Sequence, residues 1–124
     1  MNIALWIVQA LLAAAFVLVG SMKASRPLET LSKSMAWVLA VPAGLVRFIG
    51  IAELLGAIGL ILPMVTNIAP GLTVAAAAGL VLIQACAIVF HVSRHEARVV
   101  PANVVLLLLA AFVVIGRVAI VPIA

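Results

Sequence analysis

Apolar residues fill this chain in four long stretches, broken by charge, proline and glycine only near their ends. Roughly 20 apolar residues at about 1.5 Å each cross a bilayer. The runs therefore predict spanning helices over about 3–22, 44–62, 72–91 and 103–121. The first run, Asn2 to Met22, is uncharged, and a signal peptide is its rival reading. A basic n-region and a clear small-residue cleavage site are both missing, and the apolar stretch is too long for one. Along it Gln9, Ala13, Phe16, Gly20 and Lys23 fall on one stripe, which gives the helix a slightly polar face.

The connection that follows, KASRPLETLSKSMAWVLAVP, places Leu28, Leu31, Met35 and Val38 at helical spacing, with Glu29, Thr30, Ser32 and Lys33 pointing elsewhere. This pattern predicts a short interfacial helix over about 28–39 with Trp37 at headgroup level; a plain loop is the alternative. Pro63 is expected to close the second span, and MVTNIAPG reads as a tight, uncharged turn. The third span is alanine-rich, with Ala75 and Gly79 as a small-xxx-small pair. Val92 to Ala102 forms the second charged connection. The expected fold is an all-α membrane protein: one domain, a four-transmembrane-helix bundle with a short interfacial helix between the first two spans.

Composition makes the membrane reading compulsory. Of 124 residues, 69% are apolar and 8% charged. Domains of this size bury only about 60–70% of their surface, so water is not a workable solvent and the lipid bilayer is the first partner. The net charge of +4 comes from basic residues spread over the ends of the apolar runs, with no basic stripe, which excludes nucleic acid as a partner. Lys23, Arg26, Lys33, Arg94 and Arg98 lie in the two charged connections, with Arg47 close by. The positive-inside rule then sets connections 23–42 and 92–102 in the cytoplasm and both termini outside. The single cysteine, Cys86, leaves no dithiol pair for oxidase chemistry and reads as a packing residue.

The second span, GLVRFIGIAELLGAIGLILP, holds the residue that asks for an explanation. Glu53 lies roughly 13 Å from the charged end at about 1.5 Å per residue, a depth at which an unpaired carboxylate costs several kcal/mol. Ile49, Gly50, Gly56 and Ala57 share its helical face, and Gly59 extends the set of small residues over which a second helix packs closely. Glu53 should therefore face the bundle interior, either as a structural group, protonated or hydrogen-bonded to Gln84, or as a ligand- or proton-binding group. Arg47 stands some 120° away around the helix, so it either lines the same cleft or snorkels to headgroups. Gln84, Ile88, His91 and His95 share a face of the third span; Asn103, Leu107, Ala110 and Arg117 share one on the fourth. Four such stripes facing inward predict a polar cleft open at the charged end, with Arg47, Glu53, Gln84 and His91 as candidate ligand- or proton-binding residues. Arg117, in the last turns of its helix, is expected to anchor at the interface.

Catalytic motifs are absent. His91 and His95 with Glu96 make only one side of a metal site, and Glu96 stands off the i, i+4 line, so no metal is expected. Haem would want histidines on separate helices at membrane depth. No Ser-His-Asp set, phosphate loop or carboxylate pair occurs.

Taken together, RFIGIAELLGAIGLILP at 47–63, GSMKASRP at the end of the first span, PAG before Arg47, and FHVSRHE with NVVLLLLAAFV resemble the DoxX-like membrane proteins, small four-helix proteins. The resemblance implies that Arg47, Gly50, Glu53 and Gly56 form the shared motif. The family takes its name from a subunit associated with thiosulfate:quinone oxidoreduction, and relatives are linked to membrane redox complexes or to assembly of other membrane proteins.

Three functions are open at this level. The first is a non-catalytic module that binds a small lipophilic ligand or a membrane partner around Glu53. The second is a membrane subunit of a quinone-linked oxidoreductase complex, with Glu53 moving a proton and a redox partner bringing the cofactor, since the chain carries none of its own. The third is a small proton-coupled exporter working as a dimer, against which stand the carboxylate in the second span rather than the first and the marked charge bias. Small-residue faces on several spans also suggest a homo-oligomer.

Overall fold

The computed structural model describes residues 1–122 of the chain. Helix α1 (Asn2–Ser25) ends where Pro27 forces Arg26 out of the helical region to φ −76°, ψ 148°. Pro27 then precedes a single short helix, α2 (Leu28–Ser32), and after a turn comes one 3-10 turn, Ala36–Leu39. The connecting segment is thus two short pieces rather than the continuous helix expected over 28–39. Helix α3 (Ala43–Thr66) starts behind Pro42, α4 (Leu72–Ser93) follows, and α5 (Val100–Ile115) runs into a π-helical turn, Gly116–Ile120. Among the described residues four helices are long and apolar enough to cross a membrane; α5 reaches that length together with its π turn.

Pro63 does not stop α3, which runs one turn further to Asn67 in the left-handed conformation (φ 56°). Proline is tolerated inside membrane helices, and beside it Gln9 Nε2 of α1 donates to the Leu60 carbonyl at 2.6 Å, one residue past the Gly59 carbonyl whose helical donor Pro63 lacks. At the other end of α4, His95 takes the left-handed position (φ 58°), with His95 N–H on the Val92 carbonyl at 3.1 Å and Glu96 N–H on the His91 carbonyl at 2.9 Å. This is a Schellman closure with histidine where glycine is usual.

Up-down connectivity makes every neighbour antiparallel. α1 packs on α3 and α5, and α4 packs on α3 and α5, closing a ring of four. Leu12, Phe16, Ala57, Leu60, Ala77, Leu80, Ala110 and Val113 fill its middle. Outward stand Ile3, Leu11, Leu18, Phe48, Leu55, Leu62, Leu82 and Leu108, all exposed as a lipid-facing surface demands. The tightest approach to a neighbouring backbone is at Gly50: a Cβ there would lie 2.5 Å from Ala24 N and 2.7 Å from the Gly20 carbonyl oxygen, so the α1 and α3 backbones touch. Between α3 and α4 the close pair is Gly59 on Ala76. Ala75 and Gly79, expected to pack a helix, turn outward instead and are exposed.

The Glu53 site and a second polar cluster

Gly50 brings α1 near enough for Lys23 to reach Glu53. Lys23 Nζ and Glu53 Oε1 are 2.8 Å apart, with side-chain exposures of 13% and 1%. The partner of Glu53 is therefore Lys23, not Gln84. The stripe that carries Gln9, Phe16 and Gly20 inward ends on Lys23, which was the signal for this pair. Arg47 turns the other way. Its Nη1 donates to the Lys23 carbonyl at 2.9 Å and the Arg26 carbonyl at 2.6 Å, tying down the open carbonyls at the end of α1, where a cation also suits the helix dipole. Arg47 thus positions the backbone that carries Lys23 and does not line a cleft with Glu53.

Gln84 is 3% exposed, and its Oε1 has no hydrogen-bond partner. The register that sets Gly59 on Ala76 and Gly56 on Leu80, continued by one more turn, puts Gln84 abreast of Glu53. Two turns on, His91 is buried and its Nδ1 lies 2.9 Å from Glu96 Oε1. The left-handed His95 folds the chain back to make that pair, which helical spacing alone did not foretell. Over this end lies the connecting segment, with Leu31 and Val38 wholly buried against Val46, Met22, Met35 and Trp37. Trp37 meets Phe90 and His91 edge-on, centroids 6.0 Å apart in both cases, and Lys23 Nζ sits 5.4 Å from its ring. Trp37 is a half-buried roof over the polar cluster, and the expected open cleft is closed.

A second polar cluster lies at the opposite end of the bundle, where α1 begins. Arg117, expected as an interfacial anchor, is 3% exposed. It follows the buried Ala110 and Val113 around the inner stripe of its helix. Its Nε donates to Gln9 Oε1 at 2.8 Å and its Nη1 to Asn2 Oδ1 at 2.7 Å. The apolar middle separates this cluster from the Lys23–Glu53 pair, so the polar stripes form two islands, not one channel.

The sequence model of the DoxX-like family matches residues 7–113 of the chain. The protein belongs to the DoxX-like family. No curated protein and no solved structure matches it. The stretch matched by the DoxX-like family holds Lys23, Arg47, Gly50, Glu53, Gln84 and His91, whereas Asn2, Trp6 and Arg117 fall outside it. One open recess of this DoxX-like protein contains none of the residues of the two polar clusters. It is a groove of about 720 Å³ on the outer surface between α3 and α4, lined by Gly56, Gly59, Ala75, Ala76, Gly79, Thr66 and apolar neighbours. Acyl chains fit such a surface as well as protein does. Among the described residues no cluster of three metal-ligating side chains occurs.

Proposed function

We propose that this integral membrane protein is a non-catalytic module that takes the polar head of a small lipophilic ligand beneath the Trp37 roof, beside Lys23 and Glu53. The observation that carries this reading is Gln84 Oε1, a buried acceptor with nothing to accept from. Such an atom costs about 1–3 kcal/mol of lost hydration, a cost that a donor on a ligand removes. Gln84 asks for a hydroxyl or N–H on the ligand head, while Trp37 and Phe90 supply faces and edges for a ring. Entry requires the roof to lift, since Glu53 is closed off. That motion falls on the connecting segment, which is held by side-chain packing and short turns rather than by a long helix.

The quinone-linked reading draws on a separate feature. Two acid–base pairs, Lys23–Glu53 and His91–Glu96, flank Trp37 and offer proton carriers on either side of a bound ring. A quinol is one molecule whose hydroxyl and ring suit these same side chains, and a partner subunit would then exchange its electrons.

The test is extraction of the purified protein with organic solvent and mass spectrometry of what is released, for wild type and for Gln84→Leu. A hydroxyl-bearing lipophile should accompany the wild type and fall roughly tenfold in Gln84→Leu, the worth of one hydrogen bond to a buried group. The ligand-free variant should be no less stable, because the leucine side chain leaves no polar atom stranded. A wild type free of any bound lipophile would sink the module reading; a quinone among the extracts would select the second.

A further inference from the structure

Away from the roof, a guanidinium is held inside the bundle, and among the described residues no acid meets it. The chain has three acidic side chains, Glu29, Glu53 and Glu96. Glu53 pairs with Lys23 and Glu96 with His91 and Arg94. Among the described residues, none makes an ion pair with Arg117. Its two hydrogen-bond partners, Gln9 Oε1 and Asn2 Oδ1, are neutral amide oxygens, and the Trp6 ring lies 5.4 Å from its Cζ. The orientation of Gln9 is not free: its Nε2 donates to the Leu60 carbonyl, so its oxygen must face Arg117. These contacts aim the guanidinium and, among the described residues, leave Nη2 buried without a partner. Thr73 Oγ1, in the first turn of α4 at the same end, is also wholly buried and unpartnered.

Local backbone features keep Arg117 in this position. Gly116 lets α5 seat on Leu5 of α1, where a Cβ would overlap the Leu5 side chain. The π turn, closed by Val121 N–H on the Gly116 carbonyl at 2.6 Å, contains Arg117 itself; π turns recur at functional sites. A mere clasp between α1, α3 and α5 needs only a neutral donor. A desolvated guanidinium adds a full positive charge that dipoles do not cancel, and it is the side chain best matched to phosphate and carboxylate oxygens.

We propose that Arg117 is the floor of an anion site that takes one phosphate or carboxylate oxygen on Nη2, with exposed Asn2 as its outer lip. Two sources offer that chemistry: the headgroup phosphate of an anionic phospholipid, or a free oxyanion in solution.

The full-length protein in neutral detergent micelles, with ionic strength held constant by chloride, separates them. Phosphatidylglycerol added to the micelles should raise Tm by about 5 °C if the lipid is the source. Sodium phosphate or acetate alone should do so if a free anion is. Either shift should vanish in Arg117→Gln. Asn2→Asp places a carboxylate where Asn2 Oδ1 already sits, 2.7 Å from Nη1, and abandons no hydrogen bond. It should raise Tm without added anion and erase the response to both probes, which keeps the test decisive if Arg117→Gln does not fold. No shift in the wild type, an equal shift in Arg117→Gln, or an Asn2→Asp protein that responds like the wild type would overturn the proposal.

Discussion

Lys23 and Glu53 show how unequal the two halves of a buried pair are. Glu53 is sealed at 1% exposure, while Lys23 keeps 13% and lies in the last turn of α1, near the end of the bundle. If Glu53 is neutralised, the Lys23 ammonium has a stem long enough to snorkel towards headgroups. If Lys23 is removed, the Glu53 carboxylate has nowhere to go. Lys23→Met should therefore destabilise by about 3–5 kcal/mol, the usual cost of stranding one member of a buried pair, and Glu53→Gln by clearly less. Equilibrium unfolding of the two variants in detergent checks the order, and equal losses would mean that Lys23 cannot escape. Gln84 is the opposite case, a group already stranded, so its replacement by leucine is expected to cost the unliganded protein nothing.

Between elements, contact distance decides which side chains meet. Gly20 and Gly50 bring two backbones together, and that closeness is what allows a lysine at the end of one helix to reach an acid in the middle of the next. Gly50→Ala puts a methyl 2.5 Å from Ala24 N, against backbone that has no rotamer in which to yield. The expected cost is about 1–3 kcal/mol from overpacking, with the Lys23–Glu53 pair loosened in the same step. A double-mutant cycle of Gly50→Ala with Glu53→Gln reads this directly: the losses should be less than additive, and strict additivity would separate the glycine contact from the ion pair. The α4 terminus follows the same logic at shorter range. Histidine in the left-handed site folds Glu96 back onto His91, a contact set by one backbone dihedral and invisible to helical periodicity.

For the whole molecule the charge pattern carries a prediction about direction. We infer that the charged connections face the cytoplasm, on the positive-inside rule. In a Cys86→Ala background, Ser34→Cys should react in intact cells only with a membrane-permeant maleimide, and Ile68→Cys with an impermeant one as well. The reverse pattern would invert the bundle and put the Trp37 roof outside. The number of spans, the inward face of α3 and the membrane itself were legible in the sequence, because lipid imposes a minimum length and an apolar composition that any crossing must meet, whereas the end of α3 beyond Pro63 was not. The stripe through Gln9, Gly20 and Lys23 was legible too, since it depends only on helical geometry. The partners along those stripes were not. That Glu53 meets Lys23, that Arg47 turns to the end of α1, that Trp37 closes the cluster and that Arg117 is drawn inside depend on how far each helix slides past its neighbour. Periodicity gives the face of a helix but not its register against another, and a step of one turn, about 5.4 Å, exchanges one polar partner for the next.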